Sequence, residues 1–72
     1  MKDALYVDTE RLDELIKNSG YKIGFIASAL GLSREGFLKK RNGEIAFRKL
    51  EQDALASILG MTDEERAEIF LP

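Results

Sequence analysis

The sequence predicts an all-α chain, a compact bundle of five short helices. Three observations carry this. Gly20, Gly31, Gly43 and Gly60 each follow an apolar pattern of helical period, where a left-handed C-terminal cap needs a residue without a β-carbon. No segment alternates apolar and polar residues with the period of two that a half-buried strand requires. The composition, 44% apolar and 33% charged, is that of a chain that folds around a core. At 72 residues there is room for one small domain, so residues 1–72 are read as a single unit.

Between the glycines the elements follow in order. The first helix is expected from about Thr9 to Ser19. Asp8 caps it, Val7 and Leu12 stand at the staple positions on either side of the cap, and Leu12, Leu15 and Ile16 form its buried stripe. The second runs from about Lys22 to Leu30, with Ile23, Ile26, Ala27 and Leu30 on one face; Gly24 weakens it, and Phe25 points away from that face. The third starts at a Ser33 cap, with Leu32 and Phe37 as its staple pair, and reaches about Arg41. The fourth, about Phe47 to Leu59, is expected to bury Phe47, Leu50, Ala54, Ile58 and Leu59. The last opens with the capping box Thr62-Asp63-Glu64-Glu65 and carries Ile69 and Phe70. The apolar ending Ile69-Phe70-Leu71 closes the core or pairs subunits; core closure is the expectation.

Several function classes are set aside by composition. Cysteine and histidine are both absent, which removes disulfides, thiol chemistry, the usual zinc sites and histidine acid–base catalysis. Asp63, Glu64 and Glu65 stand in the first turn of a helix, where the dipole and cap account for them, and consecutive residues fan around a helix instead of converging on a substrate. No enzyme, cofactor, metal or small-molecule substrate is therefore expected. No apolar run approaches the roughly 18 residues of a membrane span, and the N-terminus lacks a secretory pattern. A soluble, cytoplasmic protein with no membrane partner is the expectation.

Net charge is −2, but its distribution says more than its sum. From Ser33 to Lys49 six cations (Arg34, Lys39, Lys40, Arg41, Arg48 and Lys49) face only Glu35 and Glu44. From Leu50 onward Arg66 alone faces Glu51, Asp53, Asp63, Glu64, Glu65 and Glu68. The middle is basic and the end acidic.

The most informative stretch is Ile26-Ala27-Ser28-Ala29-Leu30-Gly31-Leu32-Ser33-Arg34-Glu35-Gly36-Phe37. Small Ala27 lets the next helix cross close above its own, Gly31 turns the chain in about three residues, and Leu32 and Phe37 lock the following helix down. That is the physical recipe of a central helix-turn-helix, which holds one helix proud of the surface for a DNA major groove.

The segment from about Thr9 to Leu59 resembles the Cro/phage-repressor (XRE-type) helix-turn-helix family, above all the small Cro and modulator-of-repression proteins of temperate phages. The resemblance rests on Leu30-Gly31-Leu32-Ser33-Arg34-Glu35-Gly36-Phe37-Leu38-Lys39-Lys40-Arg41-Asn42-Gly43-Glu44. It implies a compact four- or five-helix fold and a transcriptional regulator in a lysis/lysogeny switch. It also implies binding to operator DNA as a homodimer, since one domain covers only a half-site. By position, Arg34, Glu35 and Lys39 fall where the family reads base edges. Ser33, Asn42 and the Gly43 backbone match its phosphate clamps, and Lys22, Lys40 and Arg41 add charge nearby. For Asn42-Gly43 a simple helix cap and turn is an equal reading.

The chain departs from the family at three places. Lys22 and Ile23 replace a hydroxyl cap and a phosphate-gripping glutamine; Lys40 and Arg41 stand where an apolar residue usually turns inward, their stems packing only by snorkelling. Leu38 is expected on the outward arc beside Arg34, Glu35 and Lys39. Glu35 and Leu38 suit a protein contact, so a second expectation is an antirepressor that binds a partner phage repressor through the same surface.

Overall fold

An α-helix leaves its first N–H and last C=O groups without internal partners, so its ends fall where local residues can satisfy them. The computed structural model describes residues 7–70, which form α1 (Thr9–Ser19), α2 (Ile23–Ala29), α3 (Arg34–Arg41), α4 (Lys49–Leu59) and α5 (Asp63–Phe70). No strand occurs among the described residues. The Arg11 N–H donates to Asp8 Oδ1 at 3.1 Å to start α1, and the Gly36 N–H donates to Ser33 Oγ at 3.0 Å to start α3. At α5 the capping box is complete: the Glu65 N–H donates to Thr62 Oγ1 at 3.0 Å and the Thr62 N–H to Glu65 Oε1 at 2.9 Å. All four glycines expected at C-terminal caps have positive φ, and no other described residue does.

Each helix contributes one large, fully buried side chain to the core: Leu12, Ile26, Phe37, Leu55 and Ile69. Each such side chain stabilises the fold by about 1.5–3 kcal/mol over leaving it in water. Phe47, in the connection before α4, packs its ring edge against Phe37 at 6.0 Å and against Phe70 at 5.5 Å, so α3 and α5 share one aromatic run. The Asp8 N–H donates to the Ile69 carbonyl at 3.0 Å, and Arg11 reaches Glu68 at 3.1 Å and Glu65 at 3.6 Å, which tie α1 to α5. Ile69 and Phe70 thus close the core as expected, while Leu71 lies outside the described residues.

Two corrections concern burial. Helix α4 begins at Lys49, not at Phe47, and its inward side is Glu51, Leu55 and Ala56, with Ala54, Ile58 and Leu59 only half-buried. Leu50, expected in the core, is 79% exposed. The reason is Glu51: its carboxylate accepts the Arg48 N–H at 2.9 Å at the start of the helix and meets Lys40 at 2.5 Å, and a helix that turns position 51 inward turns position 50 out. Leu38, expected on the outward arc, is half-buried at the flank of α3. Among the described residues no helix is long and apolar enough to cross a membrane.

Candidate nucleic-acid interface

Helices α2 and α3 are joined by four residues, Leu30, Gly31, Leu32 and Ser33, the first three of which donate their N–H groups back to carbonyls of α2. The Gly31 N–H donates to the Ser28 carbonyl at 3.0 Å and the Leu32 N–H to the Ala27 carbonyl at 2.9 Å. Gly31 takes φ of 76° to make this possible, a left-handed conformation that costs a residue with a β-carbon about 1–2 kcal/mol. Ala27 is 1% exposed under the turn, and Phe37 is fully buried one turn into α3. A β-carbon on Gly36 would stand 3.0 Å from Ser33 Oγ, so glycine there gives the capping hydroxyl its room. Ser33 Oγ uses a lone pair on the Gly36 N–H, which leaves its own hydroxyl proton free to donate outward.

With Phe37 defining the inward direction, about 100° per residue places Glu35 and Lys39 on the opposite side of α3, and both are exposed. Arg34 is exposed at the flank toward α2, at the edge of a groove that Lys22 also lines. The structure therefore places Glu35 and Lys39 on the outer face of α3, Ser33 at its start, and Arg34 with Lys22 on the groove at its flank.

The other phosphate-clamp candidates are committed elsewhere. Lys40 turns inward: its side chain is 11% exposed and its ammonium lies 2.5 Å from Glu51 Oε1. Burial opposes the charge on Glu51, but the Lys40 ammonium and the Arg48 N–H outweigh it and hold the carboxyl below its ordinary range. The Gly43 N–H, at φ of 85°, donates to the Lys40 carbonyl at 3.1 Å and the Glu44 N–H to the Lys39 carbonyl at 2.9 Å, so Gly43 is a helix cap whose amide is spent. Arg41 donates to Asp13 at 3.5 Å and to Asn42 Oδ1 at 3.2 and 3.3 Å. Asn42 lies in a shallow depression with Thr9, Glu10, Asp13 and Arg41, where Asp13 already meets Arg41 and Asn42 Oδ1 accepts from the Arg41 guanidinium.

Pairing sorts the remaining cations. Among the described residues Arg11, Lys17, Lys40, Arg41, Lys49 and Arg66 each contact a carboxylate. Arg66 and then Lys49 converge on Asp53 and hold its carboxyl below its ordinary value. Lys22, Arg34, Lys39 and Arg48 have no such partner among the described residues. Arg48 belongs to the basic stretch, but the helix-turn-helix pattern does not single it out; its place between α3 and α4 is the signal the sequence offers. No group of three among the described His, Cys, Asp and Glu residues could hold a metal ion. Compared with protein-family models, curated proteins and solved structures, the chain matches none of them.

Proposed function

We propose that this chain is a small helix-turn-helix transcriptional regulator of the Cro type that lays α3 in the major groove of operator DNA, acting without catalysis in the cytoplasm of a bacterial host. The observation that carries the reading is the sorting of charge: among the described residues the cations with no carboxylate within ion-pair distance are Lys22 at the start of α2, Arg34 and Lys39 on α3, and Arg48 in the connection from α3 to α4. In this reading Arg34 and Lys39 meet guanine edges, Glu35 accepts from a cytosine amino group, and Lys22, Arg48 and the Ser33 hydroxyl hold phosphates. Two copies bind adjacent half-sites.

The test is fluorescence anisotropy on phage operator DNA across a salt series. Affinity is expected to fall steeply with salt. Arg34→Ala and Lys39→Ala should each cost about 1–3 kcal/mol and relax sequence preference, whereas Lys22→Ala should weaken all sequences alike and lower the salt slope by about 0.9. Unchanged binding by the Arg34→Ala, Lys39→Ala double variant refutes the base-reading assignment.

Glu35 favours a second reading. An exposed carboxylate on the outer face of α3, with no cation partner among the described residues, suits the basic surface of a partner repressor, making the chain an antirepressor. No shift on operator DNA together with co-elution with that repressor, abolished by Glu35→Lys, would select this reading.

A further inference from the structure

Between the end of α1 and the start of α2 runs an open groove of about 880 Å³, with Ile16 and Ile23 in its walls. Two rings stand in it exposed to water: Tyr21 is 46% and Phe25 54% exposed, their centroids 5.0 Å apart. Gly24, also in its lining, separates the two in sequence, and a β-carbon there would meet nothing within 4 Å. Its φ is not positive, so neither packing nor backbone geometry calls for glycine in this first turn of α2. What the glycine does is leave the helix surface beside the two rings bare. The charge around the groove is one-sided. Asp13, its one acidic lining residue, already meets both Lys17 at 3.4 Å and Arg41 at 3.5 Å, while Lys22 and Arg34 meet no carboxylate among the described residues.

We propose that this groove binds an acidic amphipathic segment of a protein partner, with an apolar side chain seated over Gly24 against Tyr21 and Phe25 and carboxylates on Lys22 and Arg34. The chemistry favours a protein over duplex DNA. Phosphates would use the two cations but leave both rings and the bare surface at Gly24 without a partner, and stacking on the rings requires bases already unstacked. The proposal does not rest on operator binding, although Lys22 and Arg34 are common to both surfaces, so an occupied groove and a DNA-bound α3 exclude each other.

The test is an amide NMR titration of the full chain with three probes: a short synthetic peptide of glutamates around a Leu-Phe pair, the same peptide with every Glu replaced by Gln, and a duplex DNA of random sequence. The acidic peptide is expected to shift the Tyr21, Gly24, Phe25 and Arg34 amides and to bind at least about tenfold more tightly than its Gln counterpart. Phe25→Ala, and separately Lys22→Ala with Arg34→Ala, should each weaken it about tenfold or more, a loss typical of truncating an anchor residue. Gly24→Leu, filling the groove, should abolish it; if that variant does not fold by circular dichroism, Phe25→Ser at an exposed position decides. Equal binding of the Gln peptide, no binding of the acidic one, unchanged affinity in Phe25→Ser, or shifts confined to α4 and α5 overturn the proposal. So do shifts of Tyr21, Gly24 and Phe25 by duplex DNA alone, which assign the groove to nucleic acid.

Discussion

Replacing Lys40 by methionine keeps the aliphatic stem against α4 and removes only the ammonium. In the native protein that ammonium lies 2.5 Å from Glu51 Oε1, and both side chains are 11% exposed. At an effective dielectric of about 20 their attraction is about 6–7 kcal/mol. Desolvating the two ions offsets most of it, so the intact pair adds little net stability. Breaking the pair is different, because Glu51 stays inside with only the Arg48 N–H to accept from. Orphaning a buried charge costs about 3–5 kcal/mol, and the residual exposure here brings the expectation to about 2–3 kcal/mol. A chain of this length has about 4–11 kcal/mol in total, so Lys40→Met should shift a urea unfolding midpoint plainly.

The pH dependence separates charge from packing. In the native protein Glu51 titrates below its ordinary value of 4.5, so its contribution is fully present above about pH 4.5 and is lost as pH falls through the lowered value. In Lys40→Met the largest influence lowering that value is gone while burial remains, so the carboxyl should titrate higher than in the native protein. The variant's deficit should therefore be largest at neutral pH and shrink as Glu51 takes up its proton. A deficit below about 0.5 kcal/mol at pH 7, or one constant down to pH 3.5, refutes the reasoning. Because Lys40 faces Glu51, the substitution should also leave the salt slope of DNA binding unchanged, whereas a lost phosphate contact lowers it by about 0.9.

Three further outcomes follow from the fold. Gly31→Ala, forced to hold φ near 76°, should destabilise by about 1–2 kcal/mol in a thermal melt; no change would mean the turn relaxes out of the left-handed region. Phe37→Ala empties a fully buried site against Phe47 and should cost about 3–5 kcal/mol, enough to leave much of the chain unfolded by circular dichroism. Leu50→Gln, at a position 79% exposed, should stay within about 0.5 kcal/mol of the native protein in urea, and a larger loss would contradict the placement of Leu50 outside the core.

That last residue shows where the sequence stops being legible. The bounds of α1, the Asp8 and Ser33 caps, the Thr62–Glu65 box and the glycine caps were readable, because each is a local pattern dictated by backbone geometry. Helix α4 was read one position out of phase because apolar periodicity assigns inward places only to apolar residues. Glu51 takes one by answering Arg48 and Lys40, the latter eleven positions away. The candidate interface divides the same way. Ser33, Arg34, Glu35 and Lys39 follow from the turn and the helical period, but which cations are already neutralised depends on partners such as Asp13 and Asp53, brought near by packing alone.

The bond from the Asp8 amide to the Ile69 carbonyl has a kinetic consequence. It joins residues 61 positions apart, whereas the α2–α3 turn closes over four. Closing a long loop costs more chain entropy and is slower than closing a short one, so the turn region forms early and α5 seals against α1 last. Local opening is then expected to detach α5 from α1 more often than it separates α2 from α3. Hydrogen exchange at the Asp8 amide should then outpace that at Leu32, and its rate reads directly how often the molecule comes ajar.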